Sequence, residues 1–327
     1  MHKTAVPITA IEDAVHLAGR APSYHNSQPW AWVWDGQQLA LFLDRDRLVH
    51  SDRSGREALL SCGAVLDHLG VAMAAQGWLA GVDRFPNPNN LDHLASVDFT
   101  TLPFVTDAHR RRAEAILHRR TDRLPFAAPA EWSPFETRLR CALDDSHAVV
   151  DVVSDEDRPQ LAEASQLSES LRLYDSTYHA ELNWWTAPFE VSDGIPPSAL
   201  VSAAESDRVD VGRTFPVTHH PERRLSTSED AAKIVVVSAR DDTRDDILGC
   251  GELLSAILLE ATMAGMATCT LTHMTEVAAS SDIISGLTGR PFPEVLVRIG
   301  SVPAVEQAPP PTPRRPLPET LTVRFPH

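Results

Sequence analysis

Two apolar stretches of the chain, Ser61–Trp78 "SCGAVLDHLGVAMAAQGW" and Gly249–Met266 "GCGELLSAILLEATMAGM", align at a constant offset of 188 residues. Gly63 falls on Gly251 in this alignment, and a cysteine precedes both glycines. Both stretches are too long and too uniformly apolar for a single strand. The repeat predicts two buried helices, one in each half of the chain.

Strand-like runs flank both helices in the same order. "LALFLD" (Leu39–Asp44) precedes the first helix and "LASVDF" (Leu94–Phe99) follows it. "IVVVSA" (Ile234–Ala239) and "VLVRIG" (Val295–Gly300) hold the same places around the second. Chance could supply a few of these matches, but the shared order favours a duplication. Two similar halves would then pack about a pseudo-twofold axis, as the subunits of a homodimer do.

Two helix starts are expected from capping boxes, in which two side chains satisfy free backbone N–H groups of the first turn. Thr9 and Glu12 precede the apolar stripe of the first helix, and Ser54 and Glu57 precede the first repeated helix.

Composition excludes several classes of function. The 327 residues carry a net charge of −16, which disfavours nonspecific binding to nucleic acid. No apolar run approaches the roughly 18 residues of a membrane span, and the N-terminus lacks the apolar region of a secretory signal. The four cysteines form no C-x-x-C pair and are expected to be buried thiols. We therefore expect a soluble cytoplasmic protein.

The stretch Ala21–Trp32, "APSYHNSQPWAW", has neither helical nor strand period. Two prolines stiffen a path that presents Ser23, Asn26 and Gln28. This mixture of residues is more typical of a binding turn than of an ordinary surface loop.

A basic cluster lies in His118–Phe126, "HRRTDRLPF", where Arg119, Arg120 and Arg123 surround Thr121. Guanidinium groups and a hydroxyl at such a bend suit a phosphate monoester, because charge-assisted hydrogen bonds are strong. A solvated basic face is the alternative.

Near the C-terminus, the stretch 309–317, "PPPTPRRPL", is a proline-stiffened arm that carries Arg314 and Arg315. It could complete the same anion site, or it could be an ordinary tail.

A segment from about 183 to 227 has no regular period, and its length indicates a lid or a disordered insertion. Trp184 and Trp185 favour a lid, because large aromatic surfaces tend to pack; a small satellite core is the alternative. His273 and Glu276 lie three residues apart but lack a third ligand nearby, so no metal site is expected.

Three motifs together resemble those of the FMN-dependent nitroreductases. "APSYHNSQPW" resembles their A-P-S-x-x-N-x-Q-P-W signature, and "RRTDRLPF" resembles their R-R-S-x-R-x-F phosphate motif with Thr121 in place of serine. "TPRRPL" resembles their final arginine contact with the FMN phosphate. The order of the motifs and the duplication resemble in particular the internally duplicated Acg family.

The resemblance implies an α+β nitroreductase-like fold in which central helices pack between two mainly antiparallel sheets. One chain would mimic the usual homodimer, with one half at 1–108 and the other at 109–327. The first half carries the A-P-S-x-x-N signature and the second carries the arginine motif. One FMN site would therefore be complete and its symmetric counterpart lost.

The same resemblance implies the residues of the FMN site, but no catalytic side chain. The isoalloxazine ring would be bordered by Pro22, Ser23, Asn26 and Gln28. The resemblance is weaker for Thr272 and His273, which would also border the ring. The phosphate would be held by Arg119, Arg120, Thr121, Arg123, Arg314 and Arg315.

The implied activity is NAD(P)H-dependent, ping-pong reduction of nitroaromatics or quinones by an FMN-binding oxidoreductase. The alternative is a protein that sequesters FMN under the lid with little turnover, and a third reading is a flavin-free scaffold. The expected partners are FMN, NAD(P)H and a small aromatic oxidant, with a monomer as the expected assembly.

Overall fold

The computed structural model describes residues 6–142, 147–187, 193–216, 218–219, 221–303 and 310–324, without the side chains of 141–142. In the first part of the chain, the two sequence-predicted strands and the predicted long helix are all present. The elements there are α1 (Ile8–Ala18), β1 (Trp30–Trp34), β2 (Leu39–Leu43), α2 (Arg56–Ala75), β3 (Trp78–Arg84), β4 (His93–Thr101) and α3 (Asp107–His118).

The second part of the chain repeats the order of strand, long helix and strand. Its elements are α4 (Trp132–Ala142), β5 (Ala148–Val152), α5 (Arg158–Arg172), α6 (Ser176–Trp185), α7 (Ala203–Ser206), β6 (Lys233–Ala239), α8 (Arg244–Met263), β7 (Ala267–Leu271), α9 (Ala278–Thr288), β8 (Pro293–Gly300), α10 (Leu317–Thr320) and β9 (Leu321–Val323).

Two sheets enclose the central helices. The first has the strand order β3-β4-β2-β1-β9 and the second has the order β5-β6-β8-β7. Neighbouring strands are antiparallel, except that β9 runs parallel to β1. One continuous core joins both sheets through α2 and α8. The predicted fold class, with central helices between two mainly antiparallel sheets, is confirmed.

The two central helices meet at equivalent positions. A Cβ built on Gly63 would overlap the carbonyl oxygen of Leu248, and a Cβ on Gly251 would overlap that of Leu60. Each of these carbonyls belongs to the residue three positions before the opposite glycine. The contact is therefore reciprocal, as a pseudo-twofold axis through the helix crossing requires, and it supports the predicted duplication.

The second sheet is buried on both faces. Along β6, Val235 and Val237 pack into the core around α2 and α8, whereas Ile234 and Val236 pack on the other side with α5 and α9. The first sheet buries the faces of Trp30, Trp32 and Trp34, among others, against the central helices.

Neither predicted capping box forms. Helix α1 begins at Ile8, before Thr9, and no side chain caps it. Helix α2 follows Gly55, which adopts a left-handed φ of 73°. The N–H of Ala58 in the first turn donates a hydrogen bond to Asp52 Oδ2 at 2.9 Å, and not to Ser54. Ser54 and Glu57 are consequently not partners, and Glu57 is available for another role.

The C-terminal arm returns to the first sheet, where β9 pairs with β1. Arg315 fastens the arm: its N–H donates to Gln28 Oε1 at 2.8 Å and its guanidinium donates to Gln28 O at 3.1 Å. The arm therefore lies against the turn that carries the A-P-S-x-x-N signature.

One helix of the described chain, α2, is long and apolar enough to cross a membrane. It is one of the two central helices, and most of its residues are buried in the core. Three cysteines, Cys62, Cys250 and Cys269, are buried and form no disulfide in the described part of the chain, and the Cys141 side chain lies outside that part.

Candidate functional site

A cavity of about 1040 Å³ lies between residues of the two halves. Its walls come from the turn after α1, the N-terminal part of α2, the residues after α3, the segment 194–215 and the end of β7. Nine of the twelve sequence-predicted site residues line it: Pro22, Ser23, Asn26, Arg119, Arg120, Thr121, Arg123, Thr272 and Arg314.

The turn that carries the first motif is held in an unusual backbone conformation. His25, Asn26 and Gln28 have φ values of 50°, 60° and 53°, in the left-handed region that non-glycine residues rarely adopt. Ser23 Oγ accepts a hydrogen bond from Gln28 N at 3.1 Å, and the N–H of Tyr24 donates to a serine of α2. Such backbone strain is typical of functional sites, and the surrounding bonds maintain it.

Three arginines converge at one end of the cavity. Arg119 donates to the carbonyl of Arg20 at 3.1 Å, and Arg314 donates to the same carbonyl at 3.2 Å. Arg20 itself donates to Thr312 O. Among the described residues, none of the three forms a salt bridge with a carboxylate, and Arg119 Nε is buried without a hydrogen-bond partner. Their positive charge is thus uncompensated by nearby acidic groups.

The pKa values reflect this crowding of cations. Burial, and then the charge of Arg20, lower the pKa of Arg119 to about 10. Burial, followed by the charges of Arg119 and Arg20, holds the pKa of Arg314 well below its usual value. An anion bound among the three guanidinium groups would relieve both penalties, because it would favour their charged forms.

The remaining residues of the arginine motif lie in the cavity wall at different depths. Arg120 is exposed at the rim. Thr121 forms a bridge to Thr268, which fixes the path of the chain beside β7. Arg123 donates to Ala199 O at 3.1 Å, and its guanidinium lies 4.7 Å from the centre of a phenylalanine ring at 215.

Three predicted residues do not line the cavity. Gln28 is 1% exposed and joins the turn to the C-terminal arm through Arg315, and Arg315 also donates to Asp44. His273 is fully buried and is hydrogen-bonded to Ser165 Oγ at 2.9 Å. The structure gives these three residues a role in packing around the site.

Described residues of the segment predicted as a lid form part of the cavity wall, and this part of the chain is called the cover below. Residues between 194 and 215 line the cavity, and part of the segment is helical, since it includes the end of α6 and all of α7. The ring of Trp185 stacks near His25, with centroids 6.4 Å apart, whereas Trp184 is 70% exposed. The expectation that both tryptophans pack is therefore right for Trp185 and wrong for Trp184.

Polar contacts fasten this cover to the rest of the protein. The carboxylate of Glu181 accepts hydrogen bonds from the backbone N–H groups of His50 and Ser51, and Asp193 pairs with Arg47. These contacts attach α6 and the residues after it to the first half of the chain.

A buried ion pair fastens the cover at a second place. Arg213 pairs with Glu276, and Tyr24 donates to Glu276 Oε2 at 3.2 Å. Arg172 Nη1 lies 2.7 Å from the same oxygen. Burial opposes ionisation of Glu276, but the charges of Arg213 and Arg172 outweigh it and lower its pKa to about 2.

The structure also identifies cavity residues that sequence reasoning missed. Arg20 stands directly before the first motif, and its position was the available signal. Glu57 was assigned to a capping box, which concealed its place in the cavity wall. Arg213 lies in the segment without period, where no pattern identifies it.

The pseudo-symmetric position holds an ion pair. The offset of 188 residues between the two repeats makes Arg84 equivalent to Thr272 and Asp245 equivalent to Glu57. Arg84 Nε lies 3.8 Å from Asp245 Oδ1 and 2.8 Å from Glu252 Oε1. Thr272 and Glu57 line the cavity, whereas the equivalent residues Arg84 and Asp245 lie beside one another as charged side chains.

Within the described ranges, no cluster of three or more histidine, cysteine or acidic residues could hold a metal ion. The cavity is lined by guanidinium and hydroxyl groups and also by the carboxyl groups of Glu57, Glu169, Asp207 and Asp210. Its arginine end suits an organic anion.

Curated relatives cover the whole chain. The chain is 57% identical over 326 residues to the Mycobacterium tuberculosis protein named "Putative NAD(P)H nitroreductase acg", covering 99% of this chain and 98% of the relative. A second protein of that organism, named "Putative NAD(P)H nitroreductase Rv3131", is 33% identical over 321 residues, covering 95% of this chain and 90% of the relative. No family model matches.

Solved structures with similar folds have lower sequence identity. The FMN-dependent nitroreductase NfnB of Mycobacterium smegmatis, solved with NADPH, is 17% identical and covers 65% of this chain and 98% of its own, with a TM-score of 0.40. A nitroreductase-like protein of Anabaena variabilis is 8% identical and covers 90% of this chain and 88% of its own, with a TM-score of 0.44.

Proposed function

This chain belongs to the Acg family of the nitroreductases, and we propose that it is an FMN-binding oxidoreductase that uses NAD(P)H to reduce nitroaromatics or quinones. The observation that carries the proposal is the cavity in which the strained Ser23–Asn26 turn of one half faces the arginine motif of the other. We further propose one site per chain, a monomeric pseudo-dimer and a cytoplasmic location.

The arginine end of the cavity fits the phosphate of FMN. Arg119 is buried, and Arg314 and Arg20 beside it are half-buried; none of the three has a carboxylate partner in the described chain, and Arg119 Nε is free to donate. Each charge-assisted hydrogen bond contributes roughly 1.5–3 kcal/mol. The hydroxyl of Thr121 and the exposed Arg120 would add further donors at the same end.

The turn that follows Arg20 suits a flat, polar ring. Pro22, Ser23 and Asn26 line the cavity there, and the Asn26 side chain is fixed by its bond to Pro313 O at 3.1 Å. Thr272 lies at the end of β7 on the same cavity, whereas Gln28 and His273 would act through the packing of the turn and of β7. FMN would supply the hydride chemistry, and the protein residues would orient it and exclude water.

The volume of the cavity leaves room for more than a cofactor. Ligand sites commonly enclose about 300–1,000 Å³, and this one is at the upper end of that range. A nicotinamide and then an aromatic oxidant could occupy the remaining space in turn, which is the arrangement that a ping-pong cycle requires.

A second candidate function is supported by the cover itself. Arg213 is buried in its ion pair with Glu276, and Glu181 fixes α6 to the first half. A cover held this firmly would slow the exchange of bound FMN and keep nicotinamide out. The protein would then sequester FMN with little turnover.

One experiment separates these functions. The purified protein is loaded with FMN, its flavin spectrum is recorded, and NADPH or NADH is added without oxygen. Bleaching of the flavin absorbance supports the reductase. Bound flavin that stays oxidised supports sequestration, and colourless protein that fails to take up FMN contradicts both and favours a flavin-free scaffold.

A further inference from the structure

Two carboxyl groups at the N-terminal end of α2 lie side by side at the cavity. Glu57 lines the cavity and is 7% exposed. Asp52, in the preceding turn, uses Oδ2 to accept the N–H of Ala58 at 2.9 Å, and its other oxygen, Oδ1, is buried with no donor among the described N–H and hydroxyl groups.

Asp52 accepts the N–H of Ala58, the residue that follows Glu57, so its free oxygen Oδ1 lies where a protonated Glu57 would donate, and this interaction contributes to the raised pKa of Glu57. Two ionised carboxylates are acceptors only, so a bond between them requires a proton on one of the two. Asp52 Oδ2 is engaged by the backbone of α2, so Oδ1 is the oxygen of Asp52 that is open to a donor. A proton on Glu57 would therefore be held by the carboxyl group that lines the cavity.

The surroundings of Glu57 maintain this state. Burial, and then the negative charges of Glu276 and Asp52, raise the pKa of Glu57 well above its usual value. The cations nearby do not cancel this effect, because Arg213 and Arg172 are already paired with Glu276. Tyr24, which also lines the cavity, has its own pKa raised by burial and stays neutral.

We propose that Glu57, beside Asp52, is the proton donor to the oxidant that is reduced in this cavity. The inference rests on the proposed reductase function and adds a catalytic residue to it. A position at the cavity wall and a stored proton are the two properties that a general acid needs.

The proton and electron balance is simple for a quinone. A bound reduced flavin would supply a hydride equivalent, and a quinone that accepts it would carry a negative charge on one oxygen. The O–H bond of Glu57 breaks, an O–H bond forms on that oxygen, and the product is the hydroquinone. Glu57 is left as a carboxylate, which regains a proton from solvent before the next turnover.

The first test concerns the proton alone and uses the ligand-free protein. The infrared spectrum at pH 7 of the wild type is compared with those of Glu57→Gln and of Glu156→Gln, a matched change at an exposed position. We expect Glu57→Gln to remove a carbonyl band of a protonated carboxyl group and Glu156→Gln to leave it. An identical band in all three proteins would overturn the proposal, whether or not the protein is a reductase.

The second test concerns the transfer. FMN-loaded protein is reduced chemically, so that NAD(P)H is not needed, and is mixed without oxygen with excess benzoquinone or with ferricyanide. Ferricyanide accepts electrons without a proton. We expect Glu57→Gln to slow reoxidation by the quinone at least ~10-fold, since general acids contribute ~10²–10⁴-fold, with unchanged reoxidation by ferricyanide and partial recovery in Glu57→Asp.

The outcomes are separable. Equal rates with the quinone in wild type and variant, or equal slowing with both acceptors, would contradict the role of Glu57. Failure of NADPH to reduce the wild type, with the acceptor difference intact, would contradict the proposed reductase cycle and support Glu57. A wild type without bound flavin would overturn the proposed function and with it the transfer role.

Discussion

Gly63 and Gly251 face each other where α2 crosses α8, and the Cα of each lies within 2.9 Å of the place where a Cβ on the other would stand. Neither position can accept a larger residue without separating the helices. The reciprocal contact makes the two halves equivalent at the centre of the protein, while the surrounding site is built from different residues on each side.

We expect Gly251→Ala to destabilise the protein, because the added methyl would overlap the backbone carbonyl of Leu60, which cannot move independently of α2. Overpacking of a rigid core destabilises by about 1–3 kcal/mol or more. Urea unfolding measures the effect. Gly70→Ala, on α2 with open space around the new methyl, is the control and should be neutral or stabilising by up to about 1 kcal/mol. Equal effects of the two changes would contradict the helix contact.

Arg119→Gln is expected to weaken FMN binding by about 10- to 100-fold, the loss of one charge-assisted hydrogen bond. Riboflavin, which lacks the phosphate, should bind both proteins equally. Fluorescence titration gives both affinities. Arg110→Gln on the exposed face of α3 is the control and should leave FMN affinity unchanged. A parallel loss of riboflavin affinity would show that Arg119 supports the fold rather than the phosphate.

Trp185→Ala should accelerate the exchange of bound flavin, because the ring of Trp185 packs near His25 where the cover meets the first motif. Trp184→Ala removes a neighbouring ring that is 70% exposed and should leave the rate unchanged. The rate is followed by displacing FMN with an excess of a flavin analogue of different absorbance. Two variants with the wild-type rate would argue that this part of the cover does not limit exchange.

The Glu276→Gln change removes the buried carboxylate with which both Arg213 and Arg172 form ion pairs. Removal of one partner of a buried ion pair typically destabilises by 3–5 kcal/mol. The free energy of unfolding, measured with urea, should fall by roughly that amount. Glu136→Gln, which breaks an exposed ion pair with Arg140, is the control and should change the free energy of unfolding by less than about 1 kcal/mol.

Stability should decrease as the pH falls from 7 to 5, in part because of His273. Burial, and then the charge of Arg213, lower its pKa from the ordinary 6.5 to about 3. Below pH 6.5 the unfolded chain takes up a proton there that the folded protein excludes, so acid favours unfolding. Between pH 7 and pH 5 this one residue accounts for about 2 kcal/mol.

The measurement is urea unfolding at both pH values. His273→Gln should reduce the difference between the two free energies by about 2 kcal/mol, whatever its effect at pH 7. His219→Gln, at an exposed position, should leave the difference as in the wild type. An unaltered pH dependence in His273→Gln would mean that this histidine is accessible to protons in the folded state.

The strongest periodic patterns of the sequence predicted the fold well. The long apolar repeats became α2 and α8, and the four flanking apolar runs became β2, β4, β6 and β8 within a few residues. Motif order also predicted that Asn26 and Arg119 border one cavity. These features depend on local composition and spacing, which a sequence displays directly.

Features that depend on distant partners could not be predicted in the same way. Glu57 has the spacing of a capping residue but faces the cavity, because Asp52 takes over the bond to the start of α2. Arg315 resembles its neighbour Arg314 in sequence, yet one is turned to Gln28 and the other to the cavity. Such differences are decided by tertiary contacts that no local pattern records.

The C-terminal arm, which returns to pair β9 with β1, has a consequence for assembly. In a true homodimer, elements that meet across the interface belong to separate molecules, and their encounter follows mass action. In this protein the two halves belong to one peptide chain, so the effective concentration of one half at the other is fixed. The cavity should therefore persist at any dilution, and ligand affinity measured at nanomolar protein should equal that measured at micromolar protein.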